Sequence, residues 1–243
     1  MPAIKNGEAT IYFEEFGSGF PILTFAPAGL LSTIQVWSAP SAPVNPTTEF
    51  AGEYRVIAMD QRNAPGQSRA PITAQDGWHS FASDHIAILD HLGIEQCHLY
   101  GQCIGGPFIW SLLKAQPERF ESAIVAQPIG SVGEVPRTRS GSFAGWVESL
   151  KDHPEATDEV LDAFYWNLYG QGFAYSVDRD FLEGCRTPCL VLAGNDAAHP
   201  FAIAEEIAQL LPNGEFIPDW QEGEALEAAK RRMKQFLAQH TPK

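Results

Sequence analysis

Short apolar, β-rich runs alternate along this chain with stretches whose apolar residues recur at helical spacing. The runs are Thr10 to Phe16, Ile22 to Ala26, Arg55 to Met59, Cys97 to Tyr100, Ser122 to Ala126, Cys189 to Ala193 and Glu215 to Pro218. Val56-Ile57-Ala58-Met59 and Leu190-Val191-Leu192-Ala193 are apolar without a break, as expected of strands covered on both faces. Between the runs, Ser80 to Leu92 puts Ile86, Leu89 and Leu92 on one side and stops at Gly93, a residue suited to ending a helix. Further helices are predicted over Ile104 to Ala115, Phe201 to Leu211 and Glu224 to Gln239, with Pro117, Pro200 and Pro212-Asn213-Gly214 as boundaries. The alternation predicts an α/β fold with a mostly parallel central sheet flanked by helices.

The roughly 60 residues from Gln127 to Cys189 exceed what a crossover connection needs. They predict a small helical lid at about 129–182, inserted into a single domain spanning 1–243. Its aromatic residues are Phe143, Trp146, Phe164, Tyr165, Trp166, Tyr169, Phe173 and Tyr175. These rings either glue the lid to the body or line an apolar pocket that takes an apolar or aromatic small molecule.

Composition narrows the classes. With 44% apolar and 19% charged residues, the 243-residue chain is expected to build one large core. Sixteen basic against thirty acidic side chains leave a net charge of −14, which repels nucleic acid and anionic membranes. The first residues hold no apolar run of signal-peptide length and no later stretch reaches membrane-span length, so a cytoplasmic location and reduced cysteines are expected. Cys185 and Cys189 lack a nearby histidine pair to complete a metal site, and no nucleotide or flavin fingerprint is present. Neither metal nor cofactor is expected.

The chemistry-bearing stretch is Leu99-Tyr100-Gly101-Gln102-Cys103-Ile104-Gly105-Gly106, where a strand runs straight into a helix. Glycines two before and two after Cys103 let strand and helix approach around a strained turn, which presents the thiol at the sheet edge.

Here the sequence resembles the α/β-hydrolase superfamily, with cysteine at the nucleophile elbow where most relatives carry serine. Asp60-Gln61-Arg62-Asn63-Ala64-Pro65-Gly66-Gln67-Ser68 looks like the family's D-x-R-G-x-G-x-S turn, with Asn63 for the first glycine and one residue inserted. Asp84 to Gly93 is similar to the helix before the elbow strand, and Pro188 to Gly194 to the strand feeding the acid loop. The resemblance implies an oxyanion hole made by the Ile104 N–H and a second N–H from Phe25-Ala26-Pro27-Ala28-Gly29-Leu30, with Gly29 preferred and Ala28 second. That loop departs from the family's His-Gly pattern. It also implies that Asp196, in Gly194-Asn195-Asp196-Ala197-Ala198-His199-Pro200, is the triad acid.

The family's catalytic histidine, which follows the last strand, has no counterpart in Phe216 to Glu224. His199, in the acid loop itself, is the first candidate to replace it, and His79, at the start of the helix after the Arg55 to Met59 run, the second. Cysteine tolerates a missing base better than serine because a thiol ionises near neutral pH, but hydrolysis of the thioester still requires one. Two functions are therefore open. One is hydrolysis or acyl transfer of a small ester, lactone, thioester or related acyl compound through Cys103. The other is a non-hydrolytic role, in binding, sensing or lyase/isomerase chemistry, built on an incomplete triad.

Overall fold

The computed structural model describes residues 2–131, 141–170 and 172–243; part of the expected lid lies outside them. Eight strands form one sheet: β1 (Ala3–Asn6), β2 (Ala9–Phe16), β3 (Phe20–Phe25), β4 (Tyr54–Met59), β5 (Cys97–Gln102), β6 (Phe120–Ala126), β7 (Cys189–Leu192) and β8 (Gly214–Ile217). Their order is β1-β2-β4-β3-β5-β6-β7-β8. β1 and β2 pair antiparallel, as do β2 and β4, and all the other pairs are parallel. Seven of the strands match the runs in the sequence. The exception is the edge strand β1, whose alternation is too short to stand out.

The helices are α1 (Pro46–Glu49), α2 (Trp78–His91), α3 (Gly105–Ala115), α4 (Gly141–Glu148), α5 (Asp158–Tyr169), α6 (Arg179–Gly184), α7 (Phe201–Leu210) and α8 (Gly223–His240). Every residue of β5 and β7 is buried, because the sheet is covered on both sides. Successive strand residues therefore feed two cores. Leu99 and Val191 join one with α2, α3 and α7, while Tyr100, Leu190 and Leu192 join the other with Met233 and Phe236 of α8.

Parallel order places the C-terminal ends of β3, β5, β6 and β7 along one edge, where such folds bind ligands. The turn after β4 braces this edge. Asp60 accepts from the Ile34 amide at 3.0 Å and the Gln67 amide at 2.7 Å, and Arg62 grips Asp84 of α2 at 2.7 Å. Asn63 has φ 57, the left-handed conformation that explains why glycine suits this place in the resembled motif.

Helices α4, α5 and α6 fill the connection between β6 and β7. Trp146 donates from its indole to the Asn63 carbonyl at 2.8 Å, and Trp78 of α2 donates to the Leu168 carbonyl at 2.7 Å. Phe164 stacks on Phe81 with ring centroids 6.4 Å apart. These rings anchor the connection to the body, as the first reading of the aromatics had it.

Candidate active site

The elbow lies where β5 meets α3. Cys103 has φ 60, a conformation that costs a residue with a side chain roughly 1–3 kcal/mol and persists where surrounding contacts impose it. Here its amide donates to the Ala126 carbonyl at 2.9 Å and its carbonyl accepts from the Gly106 amide at 3.0 Å. A Cβ on Gly101 would lie 2.8 Å from the Gly105 carbonyl carbon, and one on Gly105 would lie 3.0 Å from the Phe25 carbonyl oxygen. Backbone approach thus demands both glycines.

The half-buried Cys103 faces a cleft of about 520 Å³, also lined by Gly29, Ser142, Phe143, Tyr165, Tyr169, Tyr175, Ala197, Ala198 and Pro200. The second reading of the aromatics therefore applies to a different subset: Phe143 and the three tyrosines reach the cleft. Burial first, then the nearby Cys103, pushes the Tyr169 phenol well above its ordinary range, so it stays a hydrogen-bond donor at physiological pH. Trp166 instead is 45% exposed on the outside.

Two amides flank the elbow at the positions expected of oxyanion donors: Ile104 and Gly29. Ile104 occupies the N-cap of α3, so its N–H lies at the positive end of the helix dipole. Gly29 opens a 3-10 turn (Gly29–Leu31) and has φ 60, with Ala28 before it at φ 85. Among the described residues, no backbone carbonyl accepts from either the Ile104 or the Gly29 N–H. Gly29 reaches the cleft lining and Ala28 does not.

The candidate acid and base, Asp196 and His199, share one loop after β7. His199 Nδ1 lies 3.0 Å from both carboxylate oxygens of Asp196. Asp196 Oδ1 also accepts from the Ala198 amide at 2.8 Å and the His199 amide at 2.9 Å, so one carboxylate shapes the loop and orients the ring. Gly194 makes room for this: a Cβ there would lie 2.3 Å from both the His199 Cβ and its carbonyl oxygen. With Nδ1 taken, Nε2 is left for the thiol; it is buried and has no hydrogen-bond partner among the described residues.

Burial pulls the imidazole's proton affinity down, but Cys103 and then Asp196 outweigh it and lift its pKa to about 9. No bond of standard hydrogen-bond geometry joins the ring to the thiol. Contacts of this kind tighten when substrate binds. The His199 hydrogen bond in turn holds the Asp196 carboxyl below its ordinary value, despite partial burial.

The remaining histidines lie elsewhere. His79 lines a separate groove with Lys114, Asp90 and Ser111 between α2 and α3. His85 is fully buried with Nε2 2.8 Å from Gln61 Oε1. His240 pairs with the Phe236 carbonyl in its own helix. The stretch after β8 holds no histidine, and its Trp220 is buried and donates to the Ala193 carbonyl at 2.7 Å. Cys185 and Cys189 are free thiols, and the described residues contain no cluster of three or more potential metal ligands.

The sequence profile of the alpha/beta hydrolase fold family matches residues 27–184. The chain belongs to this family. It is 30% identical over 128 residues to a putative carbamate hydrolase, RutD, of Azorhizobium caulinodans, covering 51% of this chain and 43% of that one. It is 25% identical to carboxylesterase YbfK of Bacillus subtilis, covering 68% and 63%. Both matches span less than two thirds of the relative's length. A 2-hydroxymuconate semialdehyde hydrolase of Pseudomonas putida is 26% identical, with 92% and 89% covered. Among solved structures, an enol-lactonase from Burkholderia xenovorans LB400 superposes with TM-score 0.71 at 18% identity, over 98% of this chain and 100% of that one. This last likeness concerns the fold.

Sequence reasoning overlooked Gly194 and Ser142. A glycine at a strand end is a weak hint of close approach. For Ser142 nothing in the pattern pointed to the cleft.

Proposed function

We propose that this α/β-hydrolase-fold protein hydrolyses a small ester, lactone, thioester or related acyl compound, using Cys103 as nucleophile, His199 as acid and base, and Asp196 to orient it. The observation that carries the reading is His199, bonded to Asp196 through Nδ1 and electrostatically coupled to Cys103. The curated relatives support it, being named as hydrolases. A non-hydrolytic role drew its strength from a missing base, and an imidazole in this position weakens that argument.

The chemistry follows from the electrostatics. At neutral pH the protonated imidazole is the partner that a thiolate needs. Cys103 Sγ attacks the acyl carbon, and the carbonyl oxygen takes up negative charge facing the Ile104 and Gly29 amides. Collapse breaks the bond to the leaving oxygen or sulfur, which takes the proton from His199, and a thioester remains on Cys103. Having given its proton to the leaving group, the imidazole is neutral when water enters. The neutral imidazole accepts a proton from water, the hydroxide adds to the thioester, and the carboxylic product leaves as the thiolate and the imidazolium re-form.

Phe143 and the tyrosines suit an apolar or aromatic acyl group, and α4 and α5 would act as the lid over it. A thiolate nucleophile also favours a reducing compartment such as the cytoplasm, where it escapes oxidation. No helix among the described residues is long and apolar enough to cross a membrane.

Intact-protein mass spectrometry after mixing with p-nitrophenyl acetate tests the reading. One acetyl adduct, mapped to Cys103 and absent from Cys103→Ala along with turnover, is expected. Full turnover by Cys103→Ala would sink it.

A further inference from the structure

Gly29 is held open by a neighbour from the connection above it. A Cβ built on Gly29 would lie 2.4 Å from Ser142 Oγ and 2.9 Å from Ser142 Cβ. The serine thus occupies the space over the backbone of the loop whose N–H is the second oxyanion donor. Ser142 sits in the first turn of α4, and its side chain lines the same cleft as Cys103. Among the described residues its hydroxyl has no hydrogen-bond partner.

We infer that the Ser142 hydroxyl is a third oxyanion donor, adding a rotatable side-chain hydrogen bond beside the fixed Gly29 and Ile104 amides. The inference rests on Cys103 being the nucleophile. A hydroxyl can swing to follow the carbonyl oxygen as it moves on becoming tetrahedral, which a backbone N–H cannot do. It is also delivered by the helix that packs over the oxyanion loop, so donor and loop move together. A donor used mainly in the transition state raises the rate of acylation without tightening substrate binding.

The experiment is stopped-flow release of nitrophenolate from p-nitrophenyl acetate by Ser142→Ala, which reports acylation of Cys103. The expected result is a fall of about tenfold to a hundredfold in the acylation rate at unchanged KM. The fall should shrink with the thiono ester, whose sulfur accepts hydrogen bonds poorly. The Ser142 side chain is exposed, so the thermal midpoint should match that of the parent protein. Wild-type acylation by Ser142→Ala, or a raised KM with kcat intact, would overturn the inference. Measuring Cys103→Ala alongside separates the two levels: if that variant is dead while Ser142→Ala is normal, only the Ser142 role falls.

Discussion

His199 and Asp196 stand three residues apart in one loop, and the imidazole Nδ1 lies 3.0 Å from each carboxylate oxygen. Imidazole and carboxylate therefore ride on a single turn after β7, anchored by the carboxylate's own bonds to the Ala198 and His199 amides. The consequence is coupling: whatever moves this turn moves both groups.

Replacing His199 should separate the two half-reactions. His199→Ala is expected to lose about 10²- to 10⁴-fold in turnover, the usual worth of general acid–base catalysis. Activated esters, whose leaving groups need no proton, should still acylate Cys103, so the acyl-enzyme should accumulate in mass spectra. Turnover equal to the parent protein's would remove His199 from the mechanism.

Gly194→Ala should act at a distance from any reacting atom. Its Cβ would meet the His199 Cβ and carbonyl oxygen at 2.3 Å, too close for relaxation without moving the turn. A loss of stability of about 1–3 kcal/mol in urea titrations and a drop in kcat of at least about tenfold are expected. Unchanged kinetics would show that the ring need not be held where it is.

Trp220 braces the same turn from below. Its indole donates to the Ala193 carbonyl at 2.7 Å, one residue before Gly194. Trp220→Phe keeps most of the buried ring but loses the bond, which should cost about 1–2 kcal/mol and lower kcat. Trp220→Ala should cost about 3–5 kcal/mol through the cavity left behind. Equal stability of the two variants would argue against a packing role.

Stability should depend on pH on both sides of neutrality, and the signs differ by residue. His199, with its pKa raised to about 9, contributes stability that is complete below about 6.5 and is lost as pH rises through about 9. His85 and His98, lowered chiefly by burial to about 3 and about 4, behave oppositely. Below about 6.5 the unfolded chain takes up protons at these two sites that the folded one refuses, so stability falls with acidity. Urea denaturation from pH 4 to pH 10 should show both limbs, and His199→Ala should flatten the alkaline one. A parallel alkaline limb in that variant would refute the assignment.

The fold was legible because each signal that specifies it is local. Buried strands read as unbroken apolar runs, helices ended at Gly93 and before Pro117, and the Gly101-Gln102-Cys103-Ile104-Gly105 spacing marked the strained elbow. The edge strand β1 escaped notice because four residues carry little periodicity. The aromatics of the inserted helices were legible as a group, yet not as individuals. Phe164 facing the body and Tyr165 facing the cleft are sequence neighbours, separated by the turn of one helix.

Amino-acid order alone identified Cys103, Gly29, Ile104, Asp196 and His199 as candidates, since nucleophile elbow, oxyanion loop and acid loop each lie within a few consecutive residues. It left His199 and His79 as rivals for the base, because a choice between them depends on which strand ends are neighbours. In the tertiary structure β5, β6 and β7 lie side by side, which brings the turn after β7 to the edge that carries Cys103, while His79 lines the groove between α2 and α3. The same packing set Ser142 over Gly29 and Gly194 under His199. Contacts between residues distant along the chain arise from how the layers close, and hydrophobic period carries no record of them.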